Sequence, residues 1–176
     1  MRVVGGKFKA RRFEAPKHIK ARPTTDMAKE AIFNVLNHHD MLMDAVVLDL
    51  FFGIGGMSLE FVSRGATNVT AVDVSPISKR HLIKIARDWD IHNLRVVQAD
   101  VFNLIKSPRG KFDIVFADPP YAEKRIPELP DLVWGTGWLS EGGIFVLEHG
   151  KDTDLSDHPR FTEHHQMGNV HFSFFR

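Results

Sequence analysis

Five short apolar runs constrain the fold of this chain more than any other feature. They span residues 45–50, 69–72, 94–97, 112–117 and 144–147, and they lack the alternation of a half-exposed strand. Continuous apolar runs of this length are typical of strands buried on both faces of a parallel sheet. Helical segments fit between them: Ser75-Pro76, for example, is a cap followed by a first-turn proline and predicts a helix through Trp89. This order predicts an α/β fold with a doubly wound, mostly parallel sheet.

The two ends of the chain depart from that pattern. Residues 161–166 and 170–175 flank Gly168-Asn169, which predicts a C-terminal antiparallel hairpin. Residues 2–4 and 7–9 flank Gly5-Gly6, which predicts a small basic β-hairpin at the N-terminus. We therefore divide the chain into a basic N-terminal arm (1–25) and a domain (26–176) that begins with a helix near 26–37.

Composition excludes several classes of protein. With 176 residues, of which 43% are hydrophobic, the chain can bury one core. The absence of cysteine excludes thiol catalysis and disulfides, and it suits a reducing cytoplasm. The sequence has neither an apolar run long enough for a membrane span nor a signal-peptide stretch at its start. We expect a cytoplasmic protein that does not enter a membrane.

The charges are distributed unevenly. Residues 1–25 contain eight Lys and Arg against one acid, whereas the other residues contain fifteen against twenty-one. A basic end on an acidic body predicts a polyanionic partner contacted at that end. A merely solvated basic terminus is equally compatible with the charge alone.

A glycine-containing loop follows the first apolar run. Gly53 and Gly55 let a ligand approach the backbone where a strand turns into a helix. A dinucleotide loop needs a third glycine where Ser58 stands, and the preceding Asp49 is unfavourable beside a pyrophosphate. A carboxylate there suits a cofactor with a positively charged amino group, such as S-adenosylmethionine.

Two more acids follow the next two runs. Asp73 stands 24 residues after Asp49, where a carboxylate can accept both hydroxyls of a ribose. Asp100 follows the third run and could bind the amino group of an adenine. Each acid alone is as compatible with a helix cap as with a ligand contact. Their repetition at successive carboxyl ends of strands, where such folds bind ligands, favours a binding site.

The segment Asp118-Pro119-Pro120-Tyr121 closes the fourth run and indicates the reaction. Two prolines fix φ and remove two donors, so the Asp118 carboxylate and the Pro119 carbonyl remain as acceptors. Two acceptors on the N–H bonds of an exocyclic amino group would aim its lone pair at a methyl donor. Tyr121 would stack on the base, which must first be flipped out of a helix. An ordinary turn with a packed tyrosine is the alternative for this segment by itself.

These motifs resemble those of the amino-directed S-adenosylmethionine-dependent methyltransferases. Arg2-Val3-Val4-Gly5-Gly6 and Arg22-Pro23-Thr24-Thr25-Asp26 make nearly the whole chain similar to the bacterial 16S rRNA guanine-N2 methyltransferase family, often called RsmD. The resemblance implies a Rossmann-like methyltransferase fold with seven strands, the last antiparallel. It also implies methyl transfer from S-adenosylmethionine to a guanine N2 of 16S rRNA. We expect a monomer that recognises the rRNA within a 30S particle.

The expected site residues form three groups. The catalytic residues are Asp118, Pro119, Pro120 and Tyr121. The cofactor-binding residues are Asp49, Phe51, Gly53, Gly55, Asp73, Val74, Asp100 and Val101. The RNA-binding residues are Arg11, Arg12, Arg22, Thr24 and Thr25. Departures from the family pattern are Met27, Phe52, Met57 and Ser58.

Other functions fit the sequence less well. An N6-adenine methyltransferase of DNA or RNA keeps the same motif and is the first alternative. A non-catalytic RNA-binding module is the second, and an NAD oxidoreductase lacks a proton-transfer residue beside the loop. The ten histidines have neither cysteine partners nor an H-E-x-x-H helix, so we expect no metal. Serine hydrolase and P-loop motifs are absent from the sequence.

Overall fold

One mixed sheet organises the fold. The computed structural model describes residues 1–16, 19, 24–107 and 110–176. Its strands are β1 (Val46–Leu50), β2 (Asn68–Asp73), β3 (Leu94–Gln98), β4 (Phe112–Ala117), β5 (Leu139–His149), β6 (Phe161–Met167) and β7 (Val170–Phe175). They lie in the order β3-β2-β1-β4-β5-β7-β6, and only β7 runs antiparallel to its neighbours. The predicted doubly wound, mostly parallel sheet with a C-terminal hairpin is confirmed.

Helices cover both faces of this sheet. They are α1 (Asp26–His38), α2 (Gly56–Ser63), α3 (Pro76–Asp88), α4 (Val101–Leu104) and α5 (Leu129–Gly135), with a 3₁₀ turn at Ile126–Glu128. The Thr25 hydroxyl caps α1 by accepting from the Ala28 N–H at 3.2 Å, and Ser75 caps α3 in the same way through the Ser78 N–H. Side-chain caps of this kind satisfy N–H groups that have no partner inside the helix. Among the described residues, no helix is both long and apolar enough to traverse a bilayer.

Two hydrophobic cores lie on opposite faces of the sheet. Val47 of β1 packs in the first core with α1, α2 and α3, whereas Leu48 packs in the second with α4 and α5. Successive residues of a strand point to opposite faces, so a strand covered on both sides is apolar throughout. This packing explains why the apolar runs of the sequence do not alternate with polar residues.

The N-terminal residues differ from the expected hairpin around Gly5-Gly6. A single antiparallel bridge joins Arg2 to Arg12, and residues 7–10 form turns rather than a strand. The Gly6 backbone lies so close to α2 that a Cβ there would meet the Ser63 carbonyl oxygen at 1.8 Å. The Ser63 carbonyl also accepts from the Lys7 N–H at 2.7 Å. The chain does fold back on itself, because the Val3 N–H donates to the Arg11 carbonyl at 3.0 Å and the Phe13 N–H to the Met1 carbonyl at 3.1 Å. The loop between is longer than predicted and is held by contacts with α2.

The same segment shares the first core with the domain. Phe8 and Phe13 are buried there, and both rings pack on Trp89 at centroid distances of 5.6 and 6.1 Å. The division at residue 25 stays a prediction, but the packing makes residues 1–13 part of the wall around the sheet.

Candidate active site

The carboxyl ends of β1, β2 and β4 border a cleft of about 750 Å³. The strand order reverses between β1 and β4, which is where open α/β sheets bind their ligands. The cleft is lined by most of the expected site residues: Thr24, Asp49, Phe51, Gly53, Asp73, Val74, Asp100, Val101, Asp118, Pro119, Pro120 and Tyr121. The structure thus brings together acids that are as many as 69 residues apart in the sequence.

Asp49 is the most deeply buried acid of the cleft, with 1% of its surface exposed. Its Oδ2 accepts a hydrogen bond from the Ser58 hydroxyl, whereas Oδ1 is buried with no hydrogen-bond partner among the described residues. Burial raises the pKa of Asp49 to about 7; the Asp73 charge adds to this rise and the Ser58 hydrogen bond opposes it. A buried acceptor without a donor is costly, so this oxygen is suited to a cationic N–H donor from a ligand.

The loop after β1 is strained next to that acid. Phe51 adopts φ +62°, a left-handed conformation that is unfavourable for a bulky residue. The N–H groups of Phe51 and Phe52 both point to the Val72 carbonyl, at 2.9 and 3.3 Å. Backbone strain of this kind clusters at binding and catalytic sites.

Gly53 and Gly55 have different roles in this loop. The Gly53 N–H donates to Asp73 Oδ2 at 2.9 Å and lines the cleft. Gly55 is not among the lining residues; a Cβ there would lie 2.5 Å from Leu82 Cδ1, and its φ is +83°. Gly55 therefore allows close packing of the loop on α3, and its expected contact with the cofactor stays a prediction.

Asp73 and Asp100 line the cleft, and each already accepts hydrogen bonds from the backbone. Both Asp73 oxygens accept backbone hydrogen bonds, from Gly53 and from Ser75 at 2.8 Å, which fixes the carboxylate at the end of β2. Asp100 Oδ1 caps α4 by accepting from the Asn103 N–H at 2.8 Å. An ionised carboxylate has about four acceptor sites, so each acid keeps capacity for a ligand.

An apolar patch lies between these acids. Val74 is 65% exposed although it follows a buried strand. The rings of Phe51 and Phe102 meet edge to face at 5.9 Å, and the Arg125 guanidinium lies 4.1 Å from the Phe102 centroid. An exposed aliphatic side chain beside aromatic rings can hold a flat heterocycle.

The segment from Asp118 to Tyr121 lines the cleft directly after the carboxyl end of β4. Asp118 is half-buried, and its N–H donates to the Leu50 carbonyl at 3.2 Å, which ties the segment to β1. Burial raises the pKa of Asp118 well above its ordinary value, and the charges of Glu148 and Asp49 raise it further. Tyr121, 43% exposed, donates its phenolic O–H to Glu148 Oε1 at 3.0 Å.

The sequence analysis missed three charged residues of this cleft: Lys29, Glu123 and Glu148. Glu148 stands at the carboxyl end of β5, where the rule that identified Asp49 and Asp73 would also have found it. Lys29 of α1 is only 3% exposed; its Nζ donates to the Arg2 carbonyl at 2.8 Å and lies 3.6 Å from Glu60 Oε1. Burial lowers the pKa of Lys29, and the Glu60 charge opposes this. No local pattern indicates a buried lysine.

The expected RNA-binding residues are not gathered in the cleft. Thr24 lines it, but Thr25 is the cap of α1. Arg11 and Arg12 are exposed outside it, and the Arg11 guanidinium lies 5.0 Å from the Trp89 ring centroid. Arg22 lies outside the described residues.

Three of the four residues that depart from the family pattern either line the cleft or bind a residue that lines it. Ser58 binds Asp49, and Phe52 and Met57 are buried in the first core where they also line the cleft. Met27 is 67% exposed on α1. Among the described residues, no group of histidines and acids is arranged to hold a metal ion.

The cleft fits S-adenosylmethionine by its chemistry. The unpartnered Asp49 oxygen suits the amino group, Asp73 suits the ribose hydroxyls, and the patch around Val74 suits an adenine. Several carboxylates around one cleft favour a ligand with positive charge over an anionic dinucleotide.

Known proteins resemble this chain along most of its length. A family model described as conserved hypothetical protein 95 matches residues 1–176. Ribosomal RNA small subunit methyltransferase D of Escherichia coli is 30% identical over 159 residues, which are 90% of this chain and 79% of that protein. A putative rRNA methyltransferase of Bacillus subtilis is 32% identical over 166 residues, covering 89% and 86%.

A solved structure shows the same architecture. The putative methyltransferase yhhF from Escherichia coli matches with a TM-score of 0.87 at 27% identity, over 99% of this chain and 96% of that one. Because the family model spans residues 1–176 and the relatives align over most of their own length, this chain belongs to the ribosomal RNA small subunit methyltransferase D family of S-adenosylmethionine-dependent methyltransferases.

Proposed function

We propose that this methyltransferase modifies the exocyclic N2 amino group of a guanine in small-subunit rRNA. The observation that carries the proposal is the placement of Asp118-Pro119-Pro120-Tyr121 beside the cofactor cleft at the end of β4. The names of the relatives, which are rRNA methyltransferases of the small subunit, support the choice of RNA.

The proposed base site activates a weak nucleophile by orientation. When bound, S-adenosylmethionine supplies an electrophilic methyl group on a sulfonium. The Pro120 carbonyl accepts from the Glu123 N–H at 2.8 Å, whereas the Pro119 carbonyl takes part in none of the backbone hydrogen bonds of the described residues. Pro119 and Asp118 can therefore accept the two N–H bonds of the guanine amino group. Gripping both bonds favours a pyramidal nitrogen whose lone pair faces the methyl group.

Tyr121 provides the surface on which the base would stack. The residue is 43% exposed and lines the cleft, so it is accessible to a planar ligand. Stacking of a base on an aromatic side chain contributes about 1–3 kcal/mol and tolerates any base. The choice of guanine must then come from contacts with the base edge.

The RNA backbone would contact the protein outside the cleft. Phosphates are repelled by its carboxylates, whereas Arg11 and Arg12 are exposed and Arg11 lies against Trp89 at the end of α3. Arg80, Lys84 and Arg87 are exposed on that helix. Phosphate contacts from such residues position an RNA without reading its sequence. We propose that the protein acts as a monomer in the cytoplasm and recognises rRNA folded in a 30S particle.

The function is tested with labelled cofactor and three acceptors: unmodified 30S particles, naked 16S rRNA and duplex DNA. Mass spectrometry of the nucleosides is expected to show N2-methylguanosine, with most label on the particle. N6-methyladenosine would retain the base site but refute the guanine assignment. Absence of label with a folded, cofactor-binding protein would favour the RNA-binding module, and a preference for DNA would refute the rRNA substrate.

A further inference from the structure

Glu148 connects the two side chains proposed to receive the target base. It is the penultimate residue of β5, is 5% exposed and lines the cleft. Its Oε1 accepts from the Tyr121 hydroxyl at 3.0 Å, and its charge raises the pKa of the Asp118 carboxyl group, which lines the same cleft. One buried acid thus binds the stacking ring and lies close enough to the amino-group acceptor to affect its charge.

We propose that Glu148 is a positioning residue of the base site, which holds the Tyr121 ring and the Asp118 carboxyl group in a single arrangement. This inference rests on the proposed function, because it assigns Asp118 and Tyr121 to the target base. It adds a residue outside the Asp-Pro-Pro-Tyr motif to the machinery that orients that base.

The surroundings of Tyr121 show how its ring is held. The phenolic oxygen is bound to Glu148, and a Cβ built on Gly150 would lie 3.3 Å from Tyr121 Cδ2. The end of β5 therefore contacts both the hydroxyl and an edge of the ring. An exposed tyrosine without these contacts would sample several rotamers, and each would displace a stacked base.

Asp118 and Glu148 place two carboxyl groups in one buried part of the cleft. The charged groups that face Asp118 are Asp49 from β1 and Glu148 from β5, and Lys29 from α1 lines the same cleft, as do Asp73 and Glu123. When Asp118 is ionised, it offers the guanine amino group a charged acceptor, and the charge of Glu148 opposes that ionisation. Like charges close together in a buried site cannot both be present without penalty.

Protonation of Asp118 would remove that charged acceptor. Burial, followed by the charges of Glu148 and Asp49, raises the pKa of Asp118, so the loss occurs at a higher pH than for an exposed acid. The methylation rate is therefore expected to fall on the acid side with a midpoint that depends on Glu148. A residue that only supports packing would not set this midpoint.

Two variants separate these roles. Glu148→Gln keeps the size of the side chain and an acceptor for Tyr121, but it removes the charge that acts on Asp118. Glu148→Ala removes the charge and the contact with Tyr121 together. Glu141→Gln, an exposed acid at the other end of β5, is the matched control.

The measurements combine kinetics with a probe of the ring. Single-turnover methylation is followed from pH 5 to 9 on the acceptor that the wild-type enzyme modifies, and cofactor affinity is measured by calorimetry. Tyr121 is the sole tyrosine of the chain, so carbon-13-labelled tyrosine gives resonances from this one ring. Its chemical shifts report the hydroxyl contact even where no methylation is measured.

For Glu148→Gln, we expect the acid limb to move to lower pH, with the rate at pH 8 retained within a few-fold. For Glu148→Ala, we expect shifted tyrosine resonances and a roughly hundredfold fall in rate, since small misplacements have this effect, with unchanged cofactor affinity. An unmoved acid limb in Glu148→Gln, or unshifted resonances in Glu148→Ala, would overturn the inference. Loss of cofactor affinity in Glu148→Ala would do the same, because it indicates general disruption.

Failure of the proposed function has a different signature. A wild-type enzyme that methylates no guanine refutes that function, whereas the tyrosine resonances still test whether Glu148 holds the ring. If Glu148→Ala does not fold, the isosteric Glu148→Gln decides the question through its pH profile.

Discussion

Replacing Asp49 by asparagine is expected to stabilise the protein without cofactor, in a pH-dependent way. Burial raises the pKa of Asp49 from 3.8 to about 7, so the folded state favours the protonated acid. The resulting contribution to stability is fully present below the unfolded pKa of 3.8 and is lost as pH rises through about 7. Above pH 7 the folded wild type must keep Asp49 as a buried carboxylate, one oxygen of which has no hydrogen-bond partner among the described residues. Asparagine has no such charge, and its carbonyl can still accept from Ser58.

The size of the effect follows from the two pKa values. A difference of about three units corresponds to about 4 kcal/mol, which is the upper limit. Between pH 5 and pH 8 only the interval below pH 7 contributes, about two units, or about 2.5 kcal/mol. The stability advantage of Asp49→Asn should therefore grow by about 2.5 kcal/mol over this range and level off above pH 7.

Urea unfolding of both proteins at half-unit pH intervals measures this difference directly. The exposed acid Asp157 provides the control, and Asp157→Asn is expected to leave the pH slope unchanged. A stability difference between Asp49→Asn and wild type that is constant from pH 5 to 8 would refute the reasoning. So would an asparagine variant that is less stable than wild type at pH 8, because the charge would then not be the unfavourable element.

Three further results are expected. Cofactor affinity of the wild type, measured by calorimetry, should fall about tenfold for each pH unit below 7, because the bound amine needs an ionised Asp49. An affinity that does not change with pH would contradict this. Gly55→Ala should lower the free energy of unfolding, measured by urea titration, by about 1–3 kcal/mol, because the new Cβ would overlap an α3 side chain and the residue has positive φ. Gly135→Ala, which has open space around it, should be nearly neutral in the same titration. Lys29→Met should lower the free energy of unfolding by about 3–5 kcal/mol, because it removes the buried cation beside Glu60. A loss below about 1 kcal/mol by the same method would show that the other hydrogen-bond donors to Glu60 are enough to stabilise its charge.

Local pattern was enough to predict the sheet and the acids at its edge. The apolar runs around Val47 and Ile114 mark strands by themselves, because burial on both faces leaves no polar positions. Parallel strands place their carboxyl ends at one edge, so Asp49 and Asp73 had to meet there. Neither inference needs a contact between distant residues.

The N-terminal segment was not predictable in the same way. Gly5-Gly6 satisfies the local rule for a two-residue hairpin, but Glu60 accepts from the Val4 and Gly5 N–H groups at 2.5 and 3.3 Å. Ser63 takes the next donors, from Lys7 and Phe8. These hydrogen bonds hold residues 4–8 against a helix more than fifty residues away, and antiparallel pairing moves to residues 1–3 and 10–13, where the Val3 N–H donates to the Arg11 carbonyl at 3.0 Å.

Glu148 was missed although it directly follows the apolar run 144–147, as Asp73 directly follows the run 69–72. The apolar run stops at Leu147, but β5 continues to His149, where antiparallel pairing with His171 of β7 extends it. That pairing depends on the C-terminal hairpin folding back onto β5. That Glu148 lies within β5, rather than after it, is thus recognised only when the partner of that strand is known.

The departures from ordinary folding rules in this protein concentrate in one cleft. Phe51 has positive φ, Asp49 has a buried oxygen without a partner in the described structure, and Asp118 and Glu148 hold two carboxyl groups together. Each of these features destabilises the folded chain, and local conflicts of this kind mark functional sites. A bound cation would offset the carboxylate charges and stabilise the folded state in proportion to its affinity. The same neutralisation would lower the repulsion that RNA phosphates meet near the cleft, so the cofactor's charge is expected to favour the approach of the second substrate.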